Sequence, residues 1–128
     1  MPRLTPADPG DVRSALARRA GRTDRTDRTD VDRADLKLLA RHFLAVLAQR
    51  APGASVEVRV PPYAAAQVVP GVRHTRGTPP AVVELDPLTW VALALGETSW
   101  SEAMAQGSVR ASGERADLSP YLPLLGSL

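Results

Sequence analysis

The chain of 128 residues contains no cysteine. Disulfides, thiol catalysis and cysteine-ligated metals are therefore excluded, and the expected compartment is the cytoplasm by default. Aromatic residues are few: two Trp, two Tyr and one Phe. Lysine occurs once, against fifteen arginines. No stretch approaches the roughly eighteen consecutive apolar residues of a membrane span, and no apolar h-region stands near residue 1, so neither insertion nor secretion is expected. A single sign of charge does not dominate either. Residues 1–30 carry seven Arg and five Asp, whereas residues 31–128 carry nine basic and nine acidic side chains. The body is thus neutral, and no basic face with interleaved aromatics is present to neutralise phosphates and stack bases, which argues against a nucleic-acid partner.

Proline and glycine, by contrast, are plentiful and punctuate the chain at regular places. A short helix is expected from about Asp11 to Ala20, with Val12 and Leu16 as its only sizeable apolar residues, and it would be marginal alone. Gly21 to Asp30 reads GRTDRTDRTD. This repeat has nothing to bury, so residues 1–30 are expected to form an arm and a solvated, partly disordered linker ahead of one domain over 31–128. From Val31 the pattern changes: Leu36, Leu39, Ala40, Phe43, Leu44 and Leu47 share one face of a helix of about five turns, stopped by Pro52-Gly53. His42 lies inside it and is expected at a surface or boundary.

Ser55 to Val60 alternates Val56, Val58 and Val60 with Glu57 and Arg59, the mark of a half-buried strand. Pro61-Pro62 ends it. Tyr63 to Val69 follows as a second strand, whose Ala64, Ala65 and Ala66 are poor strand formers and imply the close approach of a helix or a ligand. Val82, Val83 and Leu85 form a third. Asp86 then caps a helix with Pro87 as its first residue and Gly96 as its exit. This helix is apolar nearly all round, so it must be covered on more than one side. Ser99-Trp100-Ser101-Glu102 has capping-box spacing and opens another helix that closes at Gly107. Ser108 to Ser112 supplies a last strand, and Ser119 is expected to cap a short terminal helix with Pro120 as its first residue, Tyr121, Leu122, Leu124 and Leu125 forming an apolar tail.

Between the second and third strands lies PGVRHTRGTPP, Pro70 to Pro80. Arg73, His74, Thr75, Arg76 and Thr78 combine cationic and hydroxyl donors with two glycines whose backbone admits close approach, an arrangement suited to a carboxylate or phosphate head group. His74 has no partner at a spacing that signals a triad.

The order long helix, antiparallel strands, DPLTWVALALG, WSEAMAQG, VRASG and ADLSPYLPLL resembles the sterol carrier protein type-two-like domain. The run VRVPPYAAAQVVPGVRHTRGTPPAVVELDPLTW is similar to the small bacterial sterol carrier family proteins. The resemblance spans roughly Val31 to Leu128 and implies an α+β fold: a curved, mostly antiparallel sheet of about five strands with helices packed on one face and often an apolar tunnel between them. It implies non-catalytic binding or carriage of a lipid or fatty acyl compound, or service as the accessory half of a larger enzyme; for this chain no cofactor and no metal are expected. Trp90, Leu93, Ala94, Trp100, Met104, Leu122 and Leu125 would line the apolar site, with Arg73, His74, Arg76 and Thr78 at its mouth. The alternative is an interaction module that uses the same apolar surface for a homodimer or a separate enzyme partner. A third reading makes His74 an acid or base in a small enzyme.

Overall fold

The computed structural model describes residues 4–21, 33–71, 81–113 and 116–124. The Arg-Thr-Asp repeat and the RHTRGTPP loop fall outside these residues. Helices α1 (Pro9–Ala20) and α2 (Arg33–Arg50) come first. They are followed by β1 (Val56–Val60), β2 (Ala64–Val68), β3 (Ala81–Leu85), α3 (Pro87–Leu95), α4 (Trp100–Ala105), β4 (Val109–Ser112) and a 3-10 turn at Ser119–Tyr121. No helix among the described residues is long and apolar enough to cross a membrane.

The four strands form one open mixed sheet in the order β2-β1-β3-β4. β1 runs parallel to β3, and the two outer pairs are antiparallel. Its register follows the alternation of the sequence. Val58 pairs with Ala66 on one side and Val83 on the other, and Leu85 pairs with Val109, so the apolar set of every strand falls on one face. Val56, Val58, Val60 and Val83 have no exposure on that face. Arg59, Ala65, Gln67, Arg110 and Ser112 occupy the opposite face and are exposed. The helices cover the inner face only, as expected. Ala64 and Ala66 sit half-buried in β2, against which α2 packs, so their small side chains are explained by the approach of a helix.

The sheet has four strands among the described residues, not the expected five or so. Each apolar-polar alternation in the sequence is already accounted for by β1 to β4. After β4 the chain turns at Gly113, whose φ is +100°, and the apolar segment that follows docks on a helix instead of adding to the sheet.

Punctuation sets the helices. The Asp86 carboxylate accepts the Thr89 N–H at 2.6 Å, Pro87 follows it, and Gly96 leaves α3 in the left-handed conformation at φ 77°. Ser99 Oγ accepts the Glu102 N–H at 3.1 Å, while the Glu102 carboxylate accepts from the Thr98 hydroxyl at 3.3 Å. The terminal turn differs from expectation. Ser119 is its first residue and not its cap, and the Asp117 carboxylate accepts the Ser119 N–H at 2.9 Å.

α1 starts at Pro9, two residues before the expected boundary, because Asp8 caps it through the N–H groups of Gly10 and Asp11. Its helicity comes from docking: Val12 and Ala15 are fully buried, Arg18 pairs with Asp35 at 2.7 Å, and Arg19 pairs with Glu97. A helix with so small an apolar stripe needs such tertiary support.

Candidate functional site

α3 carries the centre of the proposed apolar site, and its sequence explains why it is central. With no charged residue in PLTWVALAL, no face of it favours water. Trp90, Leu93 and Ala94 are buried, with 0%, 1% and 0% exposure, in the same core as Phe43, Leu44, Val58 and Val83. Trp90 Nε1–H donates to the Ala40 carbonyl oxygen at 3.1 Å, which satisfies the indole and fixes α3 against α2.

The segment 116–124 docks at the C-terminal end of α3. Leu118 and Leu124 are fully buried, and the Leu124 N–H donates to the Ala94 carbonyl at 2.8 Å, meeting one of the free acceptors at the end of the helix. Leu122 and Trp100 are half-buried against the core. Met104 projects outward with 41% exposure and is the one exposed large hydrophobic side chain among the described residues. Leu125, Arg73, His74, Arg76 and Thr78 lie outside the described residues. Of the residues expected at the apolar site, the structure thus joins Trp90, Leu93 and Ala94 in the interior, sets Trp100 and Leu122 at its margin and directs Met104 to the surface.

Two surface depressions lie elsewhere. One of about 430 Å³ is walled by Leu4, Arg41, Arg59, the Pro61–Ala65 turn and Glu84. Its cations are engaged: Arg41 Nη1 donates to the Tyr63 carbonyl at 3.1 Å, and Arg59 Nη2 pairs with Glu57 at 2.6 Å. The other, of about 210 Å³, lies between the N-terminal arm and α2 and is lined by Pro6, Ala7, Pro9, His42, Val46, Gln49 and Arg50. None of the described residues expected to line the apolar site borders either depression.

His42 was expected at a surface or boundary, and the structure corrects this. It is 5% exposed, its Nδ1 accepts the Ala7 N–H at 3.0 Å, and its ring meets Phe43 edge-on at 5.1 Å between centroids. Desolvation holds its pKa below the ordinary value. The signal available in the sequence was its spacing, three residues after Leu39 and four before Val46, which marks a second buried stripe on α2 once another helix covers it. Among the described residues no group of three or more His, Cys, Asp or Glu side chains comes together. The arrangement offers enclosure of apolar groups.

No curated protein matches the chain. The four-stranded mixed sheet, the uncharged α3 and the apolar segment docked at its end are accompanied by a match of residues 32–124 to the family model described as "Bacterial SCP ortholog". The chain belongs to this family of bacterial sterol carrier protein-like domains.

Proposed function

We propose that this protein binds and carries an apolar molecule, a lipid or fatty acyl compound, without altering it chemically. The observation that carries the reading is the way α3 is covered. One side is held against α2 through the Trp90–Ala40 hydrogen bond, whereas its C-terminal end meets a short segment, residues 116–124, anchored through buried Leu118 and Leu124 and the Leu124–Ala94 backbone bond. A cover of that kind is replaceable by an alkyl chain, because both present apolar surface of similar width to the same helix.

In this reading the ligand lies between α3 and the chain end. Trp90, Leu93 and Ala94 form its floor, Leu122 and Leu125 its roof, and Trp100 and Met104 its margin. Arg73, His74, Arg76 and Thr78 receive an acidic head group. Each methylene transferred from water contributes about 0.8 kcal/mol, so even a half-length chain offsets the loss of the contacts it displaces. Membership of the sterol carrier-like family supports the reading in general terms. The flat rings of a sterol are less well served than an alkyl chain by a chain with five aromatic residues.

The test is a titration of palmitate, palmitoyl-CoA and lysophosphatidylcholine, followed by tryptophan emission and by displacement of an apolar reporter dye. Binding is expected to shift Trp90 or Trp100 emission and to release the dye. Unchanged emission with the dye retained throughout would end the proposal.

A further inference from the structure

The N-terminal arm is fastened at both ends of α1, by chemically different means. At the far end Arg18 and Arg19 form ion pairs with Asp35 and Glu97, and in the middle Val12 and Ala15 are fully buried. At the near end the fastening is the Ala7 N–H donated to His42 Nδ1 at 3.0 Å. That bond requires an unprotonated Nδ1. The neutral ring then carries its proton on Nε2, which is buried and has no protein partner.

Protonation would turn Nδ1 from acceptor to donor, directly against the Ala7 N–H, and would leave a cation in a site 5% exposed. The surroundings do little to offset this. On α2 the charged group in the same depression is Arg50, another cation. On the arm, the Asp8 carboxylate is committed to the N–H groups of Gly10 and Asp11, and Asp11 lies in the first turn of α1. The neighbours of α2 on its other sides, α3 and β2, carry no charged residue.

We propose that the Ala7–His42 hydrogen bond is a pH-operated latch, which holds residues 4–21 on α2 near neutrality and releases them on acidification, uncovering the apolar surface beneath Val12 and Ala15 while the sheet stays folded. The direction follows from linkage. His42 takes up its proton at a lower pH when the arm is docked over it than when the arm is open and the ring meets water. The opening equilibrium therefore rises by up to about tenfold per pH unit as the pH falls below about 6.5. It levels off below the docked-state value.

Amide hydrogen exchange of the full chain from pH 7.5 to 5, corrected for intrinsic rates, tests this. Protection at Ala7, Val12 and Ala15 is expected to fall by up to about tenfold per unit below pH about 6.5, while Val58 and Val83 in the sheet do not follow. His42→Gln supplies an acceptor that does not titrate, and its arm protection is expected to be independent of pH. His42→Phe supplies none, and its arm protection is expected to be independent of pH and lower near neutrality than that of the natural protein. Flat protection in the natural protein, or an unchanged pH dependence in His42→Gln, overturns the latch. Should neither variant fold, an NMR titration of the natural protein decides. A common midpoint for the His42 ring protons and the Ala7 amide supports the latch, and separate midpoints refute it.

Discussion

Single residues show how far local chemistry is overruled by what surrounds it. Val69 is a β-branched residue at φ 71°, a conformation few such residues adopt. It is held there by three bonds: its N–H donates to Ala51 O at 2.6 Å, and its carbonyl accepts from Ser55 N–H at 3.1 Å and from Ser55 Oγ at 2.8 Å. Gly53, at φ +154°, makes room for this knot, since a Cβ there would lie 2.2 Å from Val69 O. Gly53→Ala is accordingly expected to lower stability by about 3 kcal/mol, read as a fall in the urea midpoint with unchanged slope. His42 makes a second residue-scale prediction. Its folded-state pKa is lowered, so its contribution to global stability is complete above the unfolded value of about 6.5 and is lost as the pH falls from there through the lowered folded value. Urea unfolding between pH 7.5 and 5.5 should show stability declining by at most about 1.4 kcal/mol per unit, and His42→Gln should flatten that decline. A decline of equal slope in the variant would assign it to other groups.

At the scale of the element, what is local is well determined. α3 is framed by Asp86, Pro87 and Gly96, all within one contiguous stretch, and each acts through its own backbone or its nearest amides. Asp86→Ala removes the acceptor of the Thr89 N–H and is expected to cost about 1 kcal/mol, seen as a lower thermal midpoint. A cost near zero would mean that the helix start is held by packing alone. The strands were legible for the same kind of reason: alternation at period two states which residues face inward, and the pairings place Val58, Ala66 and Val83 together as that alternation requires. α1 was legible as a helix but not as a part of the core. Its stability comes from Asp35, Glu97 and the covered face of α2, partners 17 or more residues away in sequence.

At the scale of the whole molecule, the apolar residues expected to line a cavity divide between the interior, its margin and the surface, and the chain end is the piece that closes the interior. Leu124→Ala is expected to loosen that closure, lowering stability by about 2–4 kcal/mol and raising acrylamide quenching of Trp90 in a Trp100→Phe background. Quenching as low as in the parent would show that the chain end does not shield α3. The sequence by itself determined the apolar-polar alternation of the strands, the caps of α3 and α4 and the sterol carrier-like family, because each is written in neighbouring residues or in their order. Tertiary structure decided the rest. The order β2-β1-β3-β4, with β1 parallel to β3, depended on pairing between strands distant in the chain. The burial of His42 depended on α1 covering a second face of α2. Enclosure of Trp90 depended on how residues distant in the chain fill a shared volume, and packing of that kind is a property of the assembled side chains that no local pattern encodes.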